Sequence, residues 1–512
     1  MSGSRCHRQR VSPNSVNQIM ISRTTFSAAV GSGRSAFRCF VQNPWDAIPV
    51  TITLLTYLIV LFFSPPAIIS GDSAGYKNPS VAHDFDRVLG AITGDSIRQV
   101  IPVSVNEVLG DYRLIIVMQI IAMAAASAYL VFGFSTLDLP KPARLAIGLI
   151  AAVIVASPMV IGLSVHILSE AWTLILTMCA LGALIRVANA NMLRKRTILT
   201  LILAGAGMGL MRVQLLPLWL LFLIATWYLA APNRSPRLVL AIIISGVVGS
   251  AGILGWWQNN NSSWQSNGAG RDIVSLVYQL SDYSPISGDV VAAWRTDRPP
   301  PACFPKPLPL PADPLVLTFT DIQAISSCAS AQRWANLFQR RYSLFLLSHP
   351  RLLYRYLSWS VPRSLSNSIF VSDVVPVPRP ISELFMGSTS AAMVSTNGTT
   401  YSAGRSAEPI IVQDIVYLEW LFACLCIIGG WRAWRKSLWF PQTLVAFLSA
   451  TLALAITAAV SVAMPSTIIE MARIGSPTNL TLRISLLWAC ALLVGHITRS
   501  VIASNARGAD AN

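Results

Sequence analysis

Charge is what this 512-residue chain has least of: 12% of its residues are Asp, Glu, Lys or Arg, while 54% are hydrophobic. With a mean hydropathy of +0.57, that scarcity excludes an ordinary water-soluble domain, in which about a quarter of the residues are charged. Acidic residues are scarcer still, 22 against 38 basic, for a formal net charge of +16. The excess does not form a nucleic-acid face, because the Lys and Arg sit in short segments between apolar runs, where they orient a chain in a membrane. No apolar run precedes Ala47, so no secretory leader is expected. The 8 cysteines show no metal-ligand spacing, and the chain has no pair of related halves such as many transporters carry.

What the chain does have is apolar runs, several of them about 20 residues long, enough to cross a ~30 Å hydrocarbon layer as helices. They predict an all-α polytopic membrane protein of about ten transmembrane helices. The expected spans are residues 47–69, 114–134, 145–163, 168–187, 198–210, 215–229, 238–256, 415–428, 444–464 and 484–502. The domain plan that follows has a basic, disordered cytoplasmic tail over 1–46 and a transmembrane core over 47–256 with a first outside loop at 70–113. A large outside region over 257–409, C-terminal transmembrane helices over 410–502 and a cytoplasmic tail over 503–512 complete it.

Positive charge orders these spans. The N-terminal tail, "LDLPKPAR", "RVANANMLRKR", "APNRSPR", "WRAWRK" and the tail after Arg499 all fall on one side, the cytoplasmic one. The run over 198–229 is too long for one span and short for two, with Arg212 and Gln214 in its middle. Basic segments flank it on both sides, so the chain must go out and return: a short or tilted hairpin with Arg212 at its outer turn. In the large outside region "RPPPACFPKPLPLPADP" favours extended polyproline II. Beyond it Trp334, Leu337, Phe338, Tyr342, Phe345 and Leu346 recur at helical spacing, predicting an amphipathic helix on the membrane or bundle. Of the cysteines only Cys303 and Cys328 lie outside, and whether they form a disulfide stays open.

The charges near hydrocarbon are the candidate site. Asp72, Glu170, Arg212, Glu470 and Arg473 fall at outer span ends or in the short connections there, and such groups cost a few kcal/mol each unless water, a partner or a function explains them. Asp72, in "GDSAGY", is either a helix-ending cap or a general base whose pKa partial desolvation raises. Glu170, in "VHILSEAW", is either a favourable charge at a helix N-terminus or, with His166 one turn earlier, a ligand for a hydroxylated substrate. Arg212 and Arg473 suit phosphate, with snorkelling to headgroups or pairing with Glu170 or Glu470 as the structural alternatives. "HDFD" at 83–86 is a weak divalent-cation signal, so no metal or other cofactor is assigned. His349 reads as a break between amphipathic helices, and Asn260, Asn261, Asn397 and Asn479 are formal sequons.

"GDSAGY" after the first span, "LSEAW" opening the fourth, "MRVQLLP" at an outer turn and "EMARIGSP" before the last resemble, in order and sidedness, the GT-C superfamily. These are polyprenyl-phosphate-dependent membrane glycosyltransferases, among them protein O-mannosyltransferases and the aminoarabinose transferases of lipid A. The resemblance spans most of the chain. It implies an enzyme that takes a sugar from a polyprenyl phosphate carrier and passes it, usually with inversion, to a lipid, glycan or protein acceptor at the outer face. It further implies Asp72 as base and Tyr76, His166, Glu170, Gln214, Arg212 and Arg473 as substrate-binding residues, the arginines on the lipid phosphate. The setting it implies is the inner (plasma) membrane of a bacterium, multi-pass, with both termini cytoplasmic and the large loop periplasmic or extracellular. No nucleotide-binding loop is needed, since the lipid phosphate carries the activation.

Rival readings are an O-antigen ligase or polymerase type of enzyme, which would rely on Arg340, Arg341 and His349 in the large loop, a transporter, or a structural membrane protein. The transferase reading predicts that Asp72→Asn leaves the protein folded but abolishes turnover of a prenyl-phosphate-linked sugar. Unchanged turnover would remove Asp72 as the base.

Overall fold

A segment that crosses hydrocarbon must satisfy its own backbone, and the chain does this with helices throughout. The computed structural model describes residues 44–63, 112–165, 169–189, 195–229, 440–463 and 468–509, with short stretches among 104–109 and 347–361. No strand occurs among the described residues. The helices are α1 (Pro44–Phe63), α2 (Tyr112–Phe134), α3 (Lys141–Val155), α4 (Pro158–Ser164), α5 (Ser169–Asn189), α6 (Lys195–Met211), α7 (Leu216–Leu229), α8 (Phe440–Ala463) and α9 (Ile468–Ala509). Five of them are long and apolar enough to cross a membrane: α1, α2, α5, α8 and α9. The expected spans at 238–256 and 415–428, the amphipathic helix over 334–346, Cys303, Cys328 and His349 lie outside the described residues.

Side-chain contacts fix the direction of each helix. α1 and α3 run parallel: Arg144 meets Asp46 at 2.9 Å at their starts, and Tyr57 Oη donates to Val155 O at 2.8 Å near their ends. α2 and α5 also run parallel to each other, from the opposite end, with Ser127 beside Met178 and Arg186 donating to Tyr129 O. α8 starts where α5 finishes, since Gln442 donates to Ala188 O. α9 runs back beside α8, Thr457 and Thr478 sharing a hydrogen bond at 2.7 Å, until Arg499 reaches Asp138. The Asp46–Arg144 and Asp138–Arg499 pairs, Arg186 and the start of α6 therefore gather at one end of the bundle, called here the basic end. Glu170 and Arg212 stand at the far end.

Two elements differ from the sequence reading, and a third, the hairpin at Arg212, is present as expected. The span expected over 145–163 is two helices, because Pro158 cannot continue α3 and instead opens α4. The run over 198–229 is a hairpin of two short helices joined by Arg212 and a 3-10 turn at Val213–Leu215. The last helix starts well before residue 484: α9 is continuous through Pro477, and its apolar stretch is Gly475–Arg499. At ~1.5 Å per residue its 42 residues measure about 63 Å, twice the hydrocarbon thickness, and the helix continues through Ala509. A span that starts at Ile484 avoids Arg483; the structure buries that arginine instead.

Small residues set how closely the helices approach. A Cβ on Gly182 would stand 2.8 Å from the Tyr129 ring and 3.1 Å from the Leu130 backbone, and one on Gly133 3.4 Å from Gly182 O, so the two glycines let α2 and α5 approach closely. Hydroxyls enter the core by bonding within their own helix: Thr53, Thr173, Thr177, Thr226, Ser449 and Thr481 each donate to the carbonyl four residues back. The hairpin is packed around Trp219, fully buried against Gly205, where an added Cβ would lie 2.3 Å from its ring. We expect Gly205→Ala to cost about 1–3 kcal/mol through overpacking. Gly207→Ala, whose new methyl meets the flexible tip of Leu176 at 3.0 Å, should cost less. Melting temperatures of the two variants in detergent check the order.

Candidate functional site

The far end is built where α5 begins and the hairpin turns. Ser169 and Glu170 open α5, a position where a negative charge is favoured by the exposed N–H groups of the first turn. Glu170 is nonetheless only 2% exposed, which removes it from the water that a helix-start carboxylate normally keeps. Its carboxylate is satisfied by two neighbours. One oxygen accepts from the Arg212 guanidinium, and the other accepts from Ser169 Oγ at 3.1 Å.

Arg212 is fixed by its backbone as well as by its partner. Its N–H donates to Met208 O at 3.0 Å, which adds a last turn to α6, and its carbonyl accepts from Leu215 N–H at 2.8 Å, which closes the turn into α7. The α6 helix has 17 residues, about 26 Å, where α5 has 21, about 32 Å. The turn nonetheless brings Arg212 to the level at which α5 begins, and the Arg212 side chain is 13% exposed. Gln214 follows on the 3-10 turn, partly buried.

Of the sequence-derived candidates, the structure brings Glu170 and Arg212 into one ion pair and places Gln214 two residues on, in the 3-10 turn. Arg473 lies in the first turns of α9, which start at the same end. Asp72, Tyr76 and His166 are outside the described residues, as is the "HDFD" stretch. Among the alternatives left open for Glu170 and Arg212, the mutual ion pair is the one present. No group of three His, Cys, Asp or Glu able to hold a metal occurs among the described residues, and Cys179 and Cys490 are unbridged. Asn479 is fully buried inside α9, so it is no glycan acceptor in this fold.

Two polar residues of this half of the bundle, Gln119 and Arg483, escaped the sequence reading, and a third, Asn479, was read only as a formal sequon. Gln119, fully buried in α2, donates to Leu163 O at 3.2 Å and Ser164 O at 2.9 Å, tying α2 to the end of α4. Asn479 and Arg483 in α9 are buried together, with Arg483 Nε donating to Asn479 Oδ1 at 2.7 Å. The signal was present: a single arginine in "TNLTLRISLLW" is an ionisable group inside an apolar run.

Removing either charge of the Glu170–Arg212 pair leaves the other buried without its partner. Glu170→Ala and Arg212→Ala should each destabilise by about 3–5 kcal/mol, while the paired replacement Glu170→Met with Arg212→Met should recover most of that loss. Thermal unfolding of the three variants in one detergent decides it; single variants as stable as the parent would show that the pair carries no strength. No family model, no curated protein and no solved structure matches this chain.

Proposed function

We propose that this chain is an integral-membrane glycosyltransferase of about ten spans that takes a sugar from a polyprenyl phosphate carrier and transfers it to an acceptor at the far end of the bundle. One observation carries the reading: three of the four segments on which the resemblance to the GT-C enzymes rests fall at that end, and the fourth follows in sequence the helix that finishes there. α1 finishes there at Phe63, ahead of "GDSAGY"; α5 starts there with "SEAW"; the hairpin turns there at Arg212; and α9 starts there, with "EMARIGSP" in its first turns. Among the described residues Arg144, Arg186 and Arg499 lie at the other end, which the positive-inside rule makes cytoplasmic. The far end is then periplasmic and both termini cytoplasmic, in a bacterial inner membrane.

In the reaction the acceptor O–H attacks the anomeric carbon, its proton passes to Asp72, and the bond from that carbon to the phosphate oxygen breaks. The electron pair leaves with the lipid phosphate, whose charge the arginines stabilise. Glu170 takes a different role from the hydroxyl ligand first considered. By holding one guanidinium nitrogen of Arg212 it sets the orientation of the rest, so Glu170 acts as a positioning residue.

Exchanging the two charges separates this reading from a plain staple. Glu170→Arg with Arg212→Glu rebuilds an ion pair and should restore the melting temperature lost in the single variants. Turnover of undecaprenyl-phosphate-linked sugars should stay down by roughly 100-fold or more, because a carboxylate now stands where phosphate must be met. Full turnover in the exchanged protein would remove Arg212 from the site and leave it a structural residue.

A further inference from the structure

A helix leaves its last four carbonyls without partners of its own, and in hydrocarbon there is no water to meet them. α4 meets this cost in an unfavourable setting, since it is only seven residues long and ends inside the bundle, where Val165 is 2% exposed. Each of its last four carbonyls has a donor. Ser164 Oγ donates to Ile161 O at 2.7 Å and Val165 N–H to Gly162 O at 3.3 Å, so two caps are local. The other two come from α2: Gln119 Nε2 donates to Leu163 O at 3.2 Å and to Ser164 O at 2.9 Å. One amide nitrogen thus closes two buried carbonyls without bringing a charge into the bundle. The point at which the chain leaves α4 is set by a side chain of another helix.

That point leads directly to the candidate site. α4 ends at Ser164 and α5 opens at Ser169, with Glu170 in its first turn. α2 and α5 run parallel and approach where a Cβ on Gly182 would stand 3.1 Å from the Leu130 backbone. Measured back from that crossing at ~1.5 Å of rise per residue, Gln119 and Glu170 stand about 17 and 18 Å toward the far end, so the two share a depth. From Ser169 onward the first turn of α5 is held from within: Thr173 Oγ donates to Ser169 O at 2.9 Å, and Ser169 Oγ to the Glu170 carboxylate at 3.1 Å. Glu170 in turn accepts from Arg212. Contacts therefore run from Gln119 through the end of α4 and the start of α5 to the Arg212 guanidinium. An ion pair of this kind needs its donor and acceptor within about 3 Å, so a small shift of the first turn of α5 weakens it.

We propose that Gln119 is a positioning residue of the far-end site: by closing the last turn of α4 it places the start of α5, and with it the carboxylate that orients Arg212. The claim on the ion pair stands by itself; that a misplaced Arg212 slows departure of a lipid phosphate rests on the transferase reading.

The test uses the full chain in lipid nanodiscs and a double-mutant cycle read as melting temperature. Gln119→Leu is made in the parent and in the Glu170→Met, Arg212→Met background. If Gln119 acts through the ion pair, the fall in melting temperature should be clearly smaller in the background that lacks the pair. A glutamine that only staples α4 lowers both by the same amount, and that result overturns the proposal whatever the protein catalyses. Gln119→Asn, which keeps the amide but is one methylene shorter, should fall between parent and Gln119→Leu, and it carries the cycle if Gln119→Leu does not fold. Turnover of undecaprenyl-phosphate-linked sugars is the second readout: Gln119→Leu should lower kcat roughly tenfold or more with KM little changed, the pattern of a misplaced transition-state ligand. Coupling in a parent that turns over no such sugar keeps the positioning role and removes the transferase reading. Additive losses in an active parent do the reverse.

Discussion

Polar groups inside a membrane bundle have no water to turn to, and that constraint shapes nearly every contact in this protein. Threonines and serines meet it cheaply, by bonding the carbonyl one turn back in their own helix, so they can face a core without asking anything of a neighbour. Side chains that cannot satisfy themselves within one turn must be met from another helix. Tyr57 reaches Val155 O, Gln119 reaches the end of α4, Glu170 takes Arg212, and each of these bonds joins two elements. The polar residues therefore specify which helices are neighbours and in which register, while the apolar majority supplies area without direction.

Close approach is the second condition. Interhelical hydrogen bonds reach about 3 Å, so the backbones must come near, and Gly133 with Gly182 at one crossing and Gly205 against Trp219 at another allow it. The cation at the basic end is handled differently. Arg186 lies over the Tyr129 ring at 3.9 Å and near Phe132 at 4.7 Å while donating to Tyr129 O, so its charge is spread over aromatic faces and a carbonyl. The exposed Asp138–Arg499 pair is in a different class, since a surface pair of this kind contributes at most about 1 kcal/mol. Each end thus also encloses one acid–base pair, Asp46–Arg144 at the basic end and Glu170–Arg212 at the other.

Much of the fold was legible because apolar length and basic flanks are one-dimensional signals. The spans at 114–134 and 168–187 lie within a residue or two of α2 and α5, and the hairpin at Arg212 follows from charge parity alone. The errors have physical causes. Pro158 breaks a run that composition reads as continuous, and Pro477 leaves unbroken one that composition would interrupt, because a proline's effect depends on whether neighbouring helices cover the freed carbonyl. The span expected over 484–502 leaves out Arg483, which lies inside α9. Inside a bundle it is an interior group with its own polar neighbour.

The sequence by itself determined that this is a helical membrane protein, roughly where its helices lie, and which segments share an end, since hydropathy and the placement of Lys and Arg act locally along the chain. Only the tertiary structure decided that Glu170 belongs to Arg212, that Asn479 holds Arg483, and that Gln119 ties α2 to α4. Glu170–Arg212 and Gln119–α4 join residues some forty positions apart; Asn479 and Arg483 are one turn apart, yet only the packing around α9 makes that turn interior. Partner choice and burial are set by which helix faces meet, a property of three-dimensional packing that composition and periodicity do not encode.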